Sequence, residues 1–231
     1  MYVKLAHERN YSTIKRKESD IQYIVVHYTG NDGDSARGNL TYFHENVVKS
    51  SAHFFVDDNE VCCSVPWYFR AWHCGGNKYV LSDGGSLYGK CTNSNSIGIE
   101  LCSRKKDGKY YFTDSVLNRA AAFVAQQMKT YNLQIENVVR HYDVTGKGCP
   151  QPFVDEKAWA AFKKKVLEYY EGKEGAAMVY YENLDSIPAG EQRELIRELV
   201  KRGIIKGNSQ GLHLSSDMVR MFVFLRRMNI I

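Results

Sequence analysis

Ile24-Val25-Val26-His27-Tyr28-Thr29-Gly30 is a β-branched run that ends in a histidine and opens into a loop beginning Asn31-Asp32-Gly33. A short run that is apolar on both faces reads as a central strand. Its histidine then stands at the rim of the sheet, where a buried strand can deliver a metal ligand. A second delivery comes much later in the chain. Val138-Val139-Arg140-His141 reads as another strand and is followed by Lys147-Gly148-Cys149-Pro150. Two histidines and a cysteine are a full set of protein ligands for a catalytic zinc with one open position.

The pattern around these strands is that of an α/β domain. Residues 1–20 are polar and basic and read as an irregular arm. Asn39 to Val47 carries Leu40, Phe43 and Val47 at helical spacing. Ser51 to Val56 reads as a second strand, Asp57 to Glu60 as a tight turn, and Val61 to Val65 as the returning partner. Residues 77–95 are rich in Gly, Ser and Asn, and a loop of that length usually builds a site. Ser96 to Cys102 is a further strand. Thr113 or Asp114 caps a helix to about Tyr131, and Asp155 opens one to about Tyr170 that buries Trp159, Phe162 and Val166. The expectation from this pattern is an α/β domain with several strands delivering residues to one sheet.

After Glu171 the pattern changes. A catalytic domain over 1–172 and a linker at 173–177 are expected, then a small, mainly helical unit over 178–231. In that unit Ser186 to Arg202 reads as an amphipathic helix stopped by Gly203. Short extended pieces at 204–208 and 212–214 and a last helix over 217–228 complete it. A unit of that size is marginal alone and needs to dock or to pair with itself.

With 44% hydrophobic and 25% charged residues the chain is globular rather than disordered. The net charge of +5 is spread over both parts. It is too weak to indicate nucleic acid and suits an anionic polymer such as a bacterial wall. Six cysteines are too few for a disulfide scaffold in 231 residues, and with Cys149 as a thiolate ligand an odd number remains. Cys62 and Cys63 read as buried thiols, and Cys74 and Cys91 flank a Gly-rich loop across which they can meet. The first residues lack the apolar segment of a signal peptide, and no stretch has transmembrane length. The expectation is a soluble protein made in the cytoplasm, with no membrane partner.

Beside a zinc, hydrolysis needs a proton acceptor and a group that holds the developing oxyanion. Glu100, a carboxylate inside the apolar Ser96–Cys102 run, is costly there unless it has a partner or a task. Lys147, two residues before Cys149, is placed to reach an oxyanion. Each residue alone has an ordinary structural reading; their joint occurrence on strand ends of one sheet carries the functional one. A papain-like cysteine hydrolase using Cys149 with His141 or His27 competes. Cys149 precedes Pro150 in a Gly loop, however, and does not open a helix whose dipole would activate its thiolate. The metalloprotease, phosphate-loop and dinucleotide motifs are missing.

These residues are similar to a known family. Val25-Val26-His27-Tyr28-Thr29, Ser51-Ala52-His53-Phe54, Asn95-Ser96-Ile97-Gly98-Ile99-Glu100 and His141-Tyr142-Asp143 through Lys147-Gly148-Cys149-Pro150 occur in its order. Over roughly residues 20–170 the chain resembles the zinc-dependent N-acetylmuramoyl-L-alanine amidases of the type-2 amidase and peptidoglycan-recognition-protein fold. The resemblance implies a mixed central β-sheet flanked by helices, with His27, His141 and Cys149 as zinc ligands, Glu100 as general base and Lys147 as the residue stabilising the tetrahedral intermediate. It implies a groove histidine at His73, and Tyr28, Trp72 and Asn95 are expected with it along the substrate. A phage-lysozyme-like branch carries a tyrosine directly before the second-strand histidine. Here Ala52 stands there, which favours the Glu/Lys version of the mechanism.

The substrate implied is bacterial peptidoglycan, cut between N-acetylmuramic acid and L-alanine. The implied setting is a phage or prophage endolysin that leaves the cell through a holin or on lysis. A non-catalytic peptidoglycan-binding protein of the same fold is the other alternative, and retention of Cys149, Glu100 and Lys147 argues against it. The tail then reads as a wall-binding or dimerising unit. Gly203-Ile204-Ile205-Lys206-Gly207 is loosely similar to part of a surface-layer-homology motif.

Overall fold

Alternation along the strands sorts side chains onto two faces of one mixed sheet, and helices cover both. A computed structural model describes residues 1–172 throughout. Beyond them it describes 180–181, 183–187, 190–206, 211–212, 214–215, 218–219, 222–223 and 226. The chain divides into two units, Met1–Lys173 and Glu174–Ile231.

In the first unit the strands are β1 (Tyr2–Val3), β2 (Tyr11–Ser12), β3 (Tyr23–Tyr28), β4 (Phe54–Val56), β5 (Val61–Cys63), β6 (Arg70–Ala71), β7 (Ser96–Leu101), β8 (Arg104–Lys106), β9 (Lys109–Tyr111) and β10 (Val138–Arg140). Its helices are α1 (Ala36–Glu45), α2 (Asp114–Thr130), α3 (His141–Thr145) and α4 (Glu156–Glu171). The main sheet runs β1-β5-β4-β7-β3-β10. β4, β7, β3 and β10 are parallel to one another, and β5 returns antiparallel to β4. The expected mixed sheet with flanking helices is therefore present.

Ile24 and Val26 of β3 pair with Ile97 and Ile99 of β7 and face α2 and α4. Both helices start on a side-chain cap: Thr113 accepts from the Val116 N–H, and Asp155 from the Ala158 N–H. They bury Val116, Ala120, Val124, Trp159, Phe162 and Val166. Each of the valine and phenylalanine side chains contributes roughly 1.5–3 kcal/mol when taken from water. On the opposite face α1 covers β4 and β5 through Ala36, Leu40, Phe55 and Cys62.

Several boundaries differ from the sequence reading. The arm at 1–20 is woven in: β1 extends the main sheet and β2 pairs with β6. Two-residue strands have no periodicity to read. Helix α1 begins at Ala36, earlier than expected, because Ser35 accepts the Gly38 N–H at 3.1 Å. It stops at Glu45 and leaves Val47 exposed. The second strand shortens to Phe54–Val56. β10 ends at Arg140, and His141 opens α3 instead of closing a strand. Asp143 accepts the Arg140 backbone N–H at 2.7 Å and turns the chain there. All six cysteines are free and buried; the Cys74 and Cys91 thiols hydrogen-bond without a disulfide.

In the second unit β11 (Tyr180–Tyr181) pairs antiparallel with β12 (Leu214–Ser215). Helix α5 spans Glu191–Lys201 and buries Leu195, Ile196 and Leu199. It starts later than the expected Ser186. Leu184–Ser186 form a 3-10 turn, and Ile187 is extended, as the residue before a proline prefers. Gly203 follows the helix at φ 72°, in the stop position expected. The expected linker at 173–177 lies outside the described residues, as do most of 217–228. Among the described residues no helix is long and apolar enough to cross a membrane.

Candidate metal centre

The register of β3 against β7 sets His27 beside Glu100 and Val25 beside Gly98, on the face opposite the α2–α4 core. His141 reaches the same place from the first residue of α3, one step after β10 pairs with β3. The Arg140 guanidinium anchors that step. It pairs with Asp143 at 2.6 Å and Glu156 at 2.8 Å, and donates to the Phe153 carbonyl at 2.7 Å. Cys149 returns because the loop after α3 folds back, with the Tyr142 N–H donating to the Cys149 carbonyl at 2.8 Å. Gly146 makes that turn at φ 83°, where an L side chain would be strained.

One donor atom from each of His27, His141 and Cys149 lies within 4.8 Å of the others, and all three residues are buried. His27 Nδ1 stands 3.7 Å from Cys149 Sγ. Burial and the neighbouring His141 hold the His27 pKa well below the usual imidazole range. Burial, with Lys147 nearby, brings His141 down to about 3. Both imidazoles are therefore neutral and have lone pairs to give. Burial pushes the Cys149 thiol up to about 12, so an uncompensated thiolate is unfavourable in this pocket. Two neutral imidazoles and a thiol that only a cation would ionise are a donor set fitting zinc.

Glu100 and Lys147 border the same place. Both line a cleft of about 600 Å³ that continues along Tyr28, Thr29, Asn39 and Tyr42. Glu100 Oε2 is enclosed and has no hydrogen-bond partner. Burial raises its carboxyl to about 8 in the metal-free protein, against the opposing pull of Lys147. A carboxylate so placed is suited to taking up a proton. Lys147 is exposed at the cleft margin.

The other expected site residues separate. Tyr28 lines the cleft and gives its backbone N–H to the Cys149 thiol. His73 does not face a groove. Only 8% of it is exposed, and its ring nitrogens lie 3.0 Å from His27 Nε2 and 3.1 Å from Ser96 Oγ. Asn95 is occupied by the loop itself. Its Oδ1 accepts from the Thr92 N–H, and its Nδ2 donates to Lys90 O and Gln22 Oε1. Trp72 is half-buried and is not among the residues lining the cleft. Neither His73 nor Asn95 has a free polar atom to offer a substrate. Sequence reasoning missed Ser96, whose hydroxyl is buried, and the Arg140–Asp143 pair. Gly98 inside a strand was the available signal, since such a glycine marks a close approach by another group.

Residues 17–152 match a family described as N-acetylmuramoyl-L-alanine amidase (Amidase_2). The chain belongs to this family. A probable N-acetylmuramoyl-L-alanine amidase of Bacillus licheniformis is 36% identical over 157 residues, covering 65% of this chain and 42% of that protein. The amidase XlyB of Bacillus subtilis is 34% identical over 168 residues, covering 73% and 49%. The chain thus spans under half the length of these family relatives. Among solved structures, a mutant of PlyL superposes with a TM-score of 0.57 at 32% identity, covering 72% of this chain and 98% of that one. The catalytic domain of XlyA gives 0.56 at 28%, covering 71% and 97%.

Proposed function

We propose that the chain is a zinc-dependent peptidoglycan hydrolase that cleaves the amide between N-acetylmuramic acid and L-alanine. One observation carries this reading. Three buried donors converge at one end of the sheet, beside an unpaired carboxylate oxygen and a lysine at the head of a cleft. The names of the family relatives supply the bond. Zinc held by His27, His141 and Cys149 would supply Lewis acidity and lower the pKa of a water.

The side chains of this chain do the rest. Glu100 Oε2, free of other partners, takes the proton of the attacking water. It then hands that proton to the departing amine of L-alanine. The Lys147 ammonium, exposed in the cleft lining, holds the negative charge that develops on the substrate oxygen. The thiol of Cys149, raised by burial, is poorly suited to act as a nucleophile by itself. That weighs for the zinc reading over a cysteine hydrolase. The second unit, with its own core of Ile187, Leu195, Ile196, Leu199 and Val219, is proposed to hold the enzyme on the wall. Action on the wall would follow release from the producing cell.

The test is digestion of purified peptidoglycan with mass analysis of the fragments. Peptides with a free L-alanine amine, no new reducing sugar ends, loss of activity on chelation and recovery with zinc are expected. Activity indifferent to chelation would favour the cysteine hydrolase, and wall binding without cleavage the non-catalytic protein.

A further inference from the structure

The polar groups behind His27 form a chain that runs in a consistent direction. It begins at the backbone carbonyl of Thr92, which can only accept. Ser96 Oγ lies 2.6 Å from it and so donates its proton there. The same oxygen then accepts from His73 Nε2, at 3.1 Å. With its proton on Nε2 given to Ser96, His73 presents a bare Nδ1, and that atom stands 3.0 Å from His27 Nε2. His27 must therefore donate from Nε2. Its own Nδ1 keeps a lone pair, and Nδ1 is the atom facing Cys149 Sγ at 3.7 Å.

The surroundings hold this chain in place. The His73 ring lies on Gly98, where an added Cβ would come within 2.5 Å of His73 Cγ. Asn93 Oδ1 accepts the backbone N–H of His73 at 3.0 Å and of Cys74 at 2.9 Å. The Cys74 thiol, 3.6 Å from Ser96 Oγ, has Asn93 Oδ1 at 3.3 Å as an acceptor and leaves the direction unchanged. His73, Ser96 and His27 are all buried, so water does not compete for these bonds.

We propose that His73 and Ser96 are positioning residues that lock His27 in its Nε2–H tautomer, keeping Nδ1 open as a ligand atom. The proposal rests on the metal-centre reading above. In it a backbone carbonyl of the 77–95 loop region sets the protonation pattern of a ligand through two side chains, Ser96 and His73. Loss of an outer-shell partner of a ligating histidine typically weakens metal binding by about 10–100-fold.

The experiment uses the full chain and reads zinc affinity by competition with a chromogenic chelator. His73→Phe keeps the ring volume and removes both nitrogens; zinc affinity is expected to fall about 10–100-fold. His73→Gln, whose amide oxygen can still accept the His27 proton, is expected to recover part of that loss, which a purely structural role would not predict. Ser96→Ala is expected to give a smaller loss, and the double variant with His73→Phe no more than His73→Phe alone, because Ser96 acts through His73. If His73→Phe does not fold, Ser96→Ala and His73→Gln carry the test. Nitrogen-15 spectra of the zinc-loaded wild type should show His27 metallated at Nδ1 and protonated at Nε2. Wild-type affinity in the folded variants, or a His27 protonated at Nδ1, overturns the positioning role alone. A wild-type chain that binds no zinc overturns the metal-centre reading, and this proposal with it.

Discussion

Strands β3 and β7 lie side by side and carry opposite characters on their two faces. Toward α2 and α4 they present Ile24, Val26, Ile97, Ile99 and Leu101, all closed off from solvent. On the other face the same ten or so ångströms of sheet carry Val25, His27, Ser96, Gly98 and Glu100. The first face is held by apolar burial and needs nothing but shape. The second holds polar groups that would each be costly alone, and it offsets that cost by chaining them, His27 to His73 to Ser96 to a carbonyl. Glu100 is left out of that chain. A side-chain period of two lets one strand pair serve both purposes, because a residue and its neighbour never share a face.

Substitutions that empty one face and spare the other break or sharpen this comparison. The largest effect is expected from His141→Ala. Zinc should fall below one per chain and turnover to background, with the far-ultraviolet dichroism unchanged; full zinc occupancy would remove His141 from the ligand set. Next is Glu100→Ala, which should keep fold and zinc but lower turnover by about 10² or more. Normal turnover in that variant would reject the base. On the core face Ile99→Ala should cost about 2–5 kcal/mol in urea unfolding. The folded fraction should still bind zinc at wild-type affinity, and a change there would mean the two faces are not independent.

The smallest effect concerns pH. The Glu100 carboxyl is raised from 4.5 to about 8 in the folded, metal-free chain, first by burial. A carboxyl whose folded pKa is the higher one is protonated in both states at low pH and costs nothing there. As pH rises through 4.5 the unfolded chain loses its proton first, and the cost grows until about pH 8. Glu100→Gln removes that cost. The metal-free variant should match the wild type at pH 4 and exceed it at pH 8 by up to about 4 kcal/mol. Parallel stability curves would show that Glu100 is not desolvated.

Much of this was legible in the sequence because strong local patterns coincided with the sheet. The β3 and β7 runs are short, apolar and bounded by turn residues, and α2 and α4 carry both a cap and a period. His27 and Glu100 stand out because each is polar within an apolar run, and Cys149 because it follows His141 in a short Gly-rich loop. What was misread lies where long-range contacts decide. β1 and β2 exist only through partners some sixty residues away, at Cys62–Cys63 and Arg70–Ala71. His73 looked like a groove residue because its loop is rich in glycine and aromatics. It is buried because Gly98, on a strand remote in sequence, leaves room for its ring.

The sequence by itself determined the α/β class, the three donor residues and the carboxylate beside them. Those follow from residue chemistry and from periods of 2 and 3.6, which are local properties of the chain. Only the tertiary structure decided that His141 opens a helix, that His73 turns inward, and that Thr92, Ser96, His73 and His27 join in one directed chain. A hydrogen bond depends on distances of a few tenths of an ångström between residues far apart in the chain. Those distances are set by strand register and loop closure, which residue order alone does not contain.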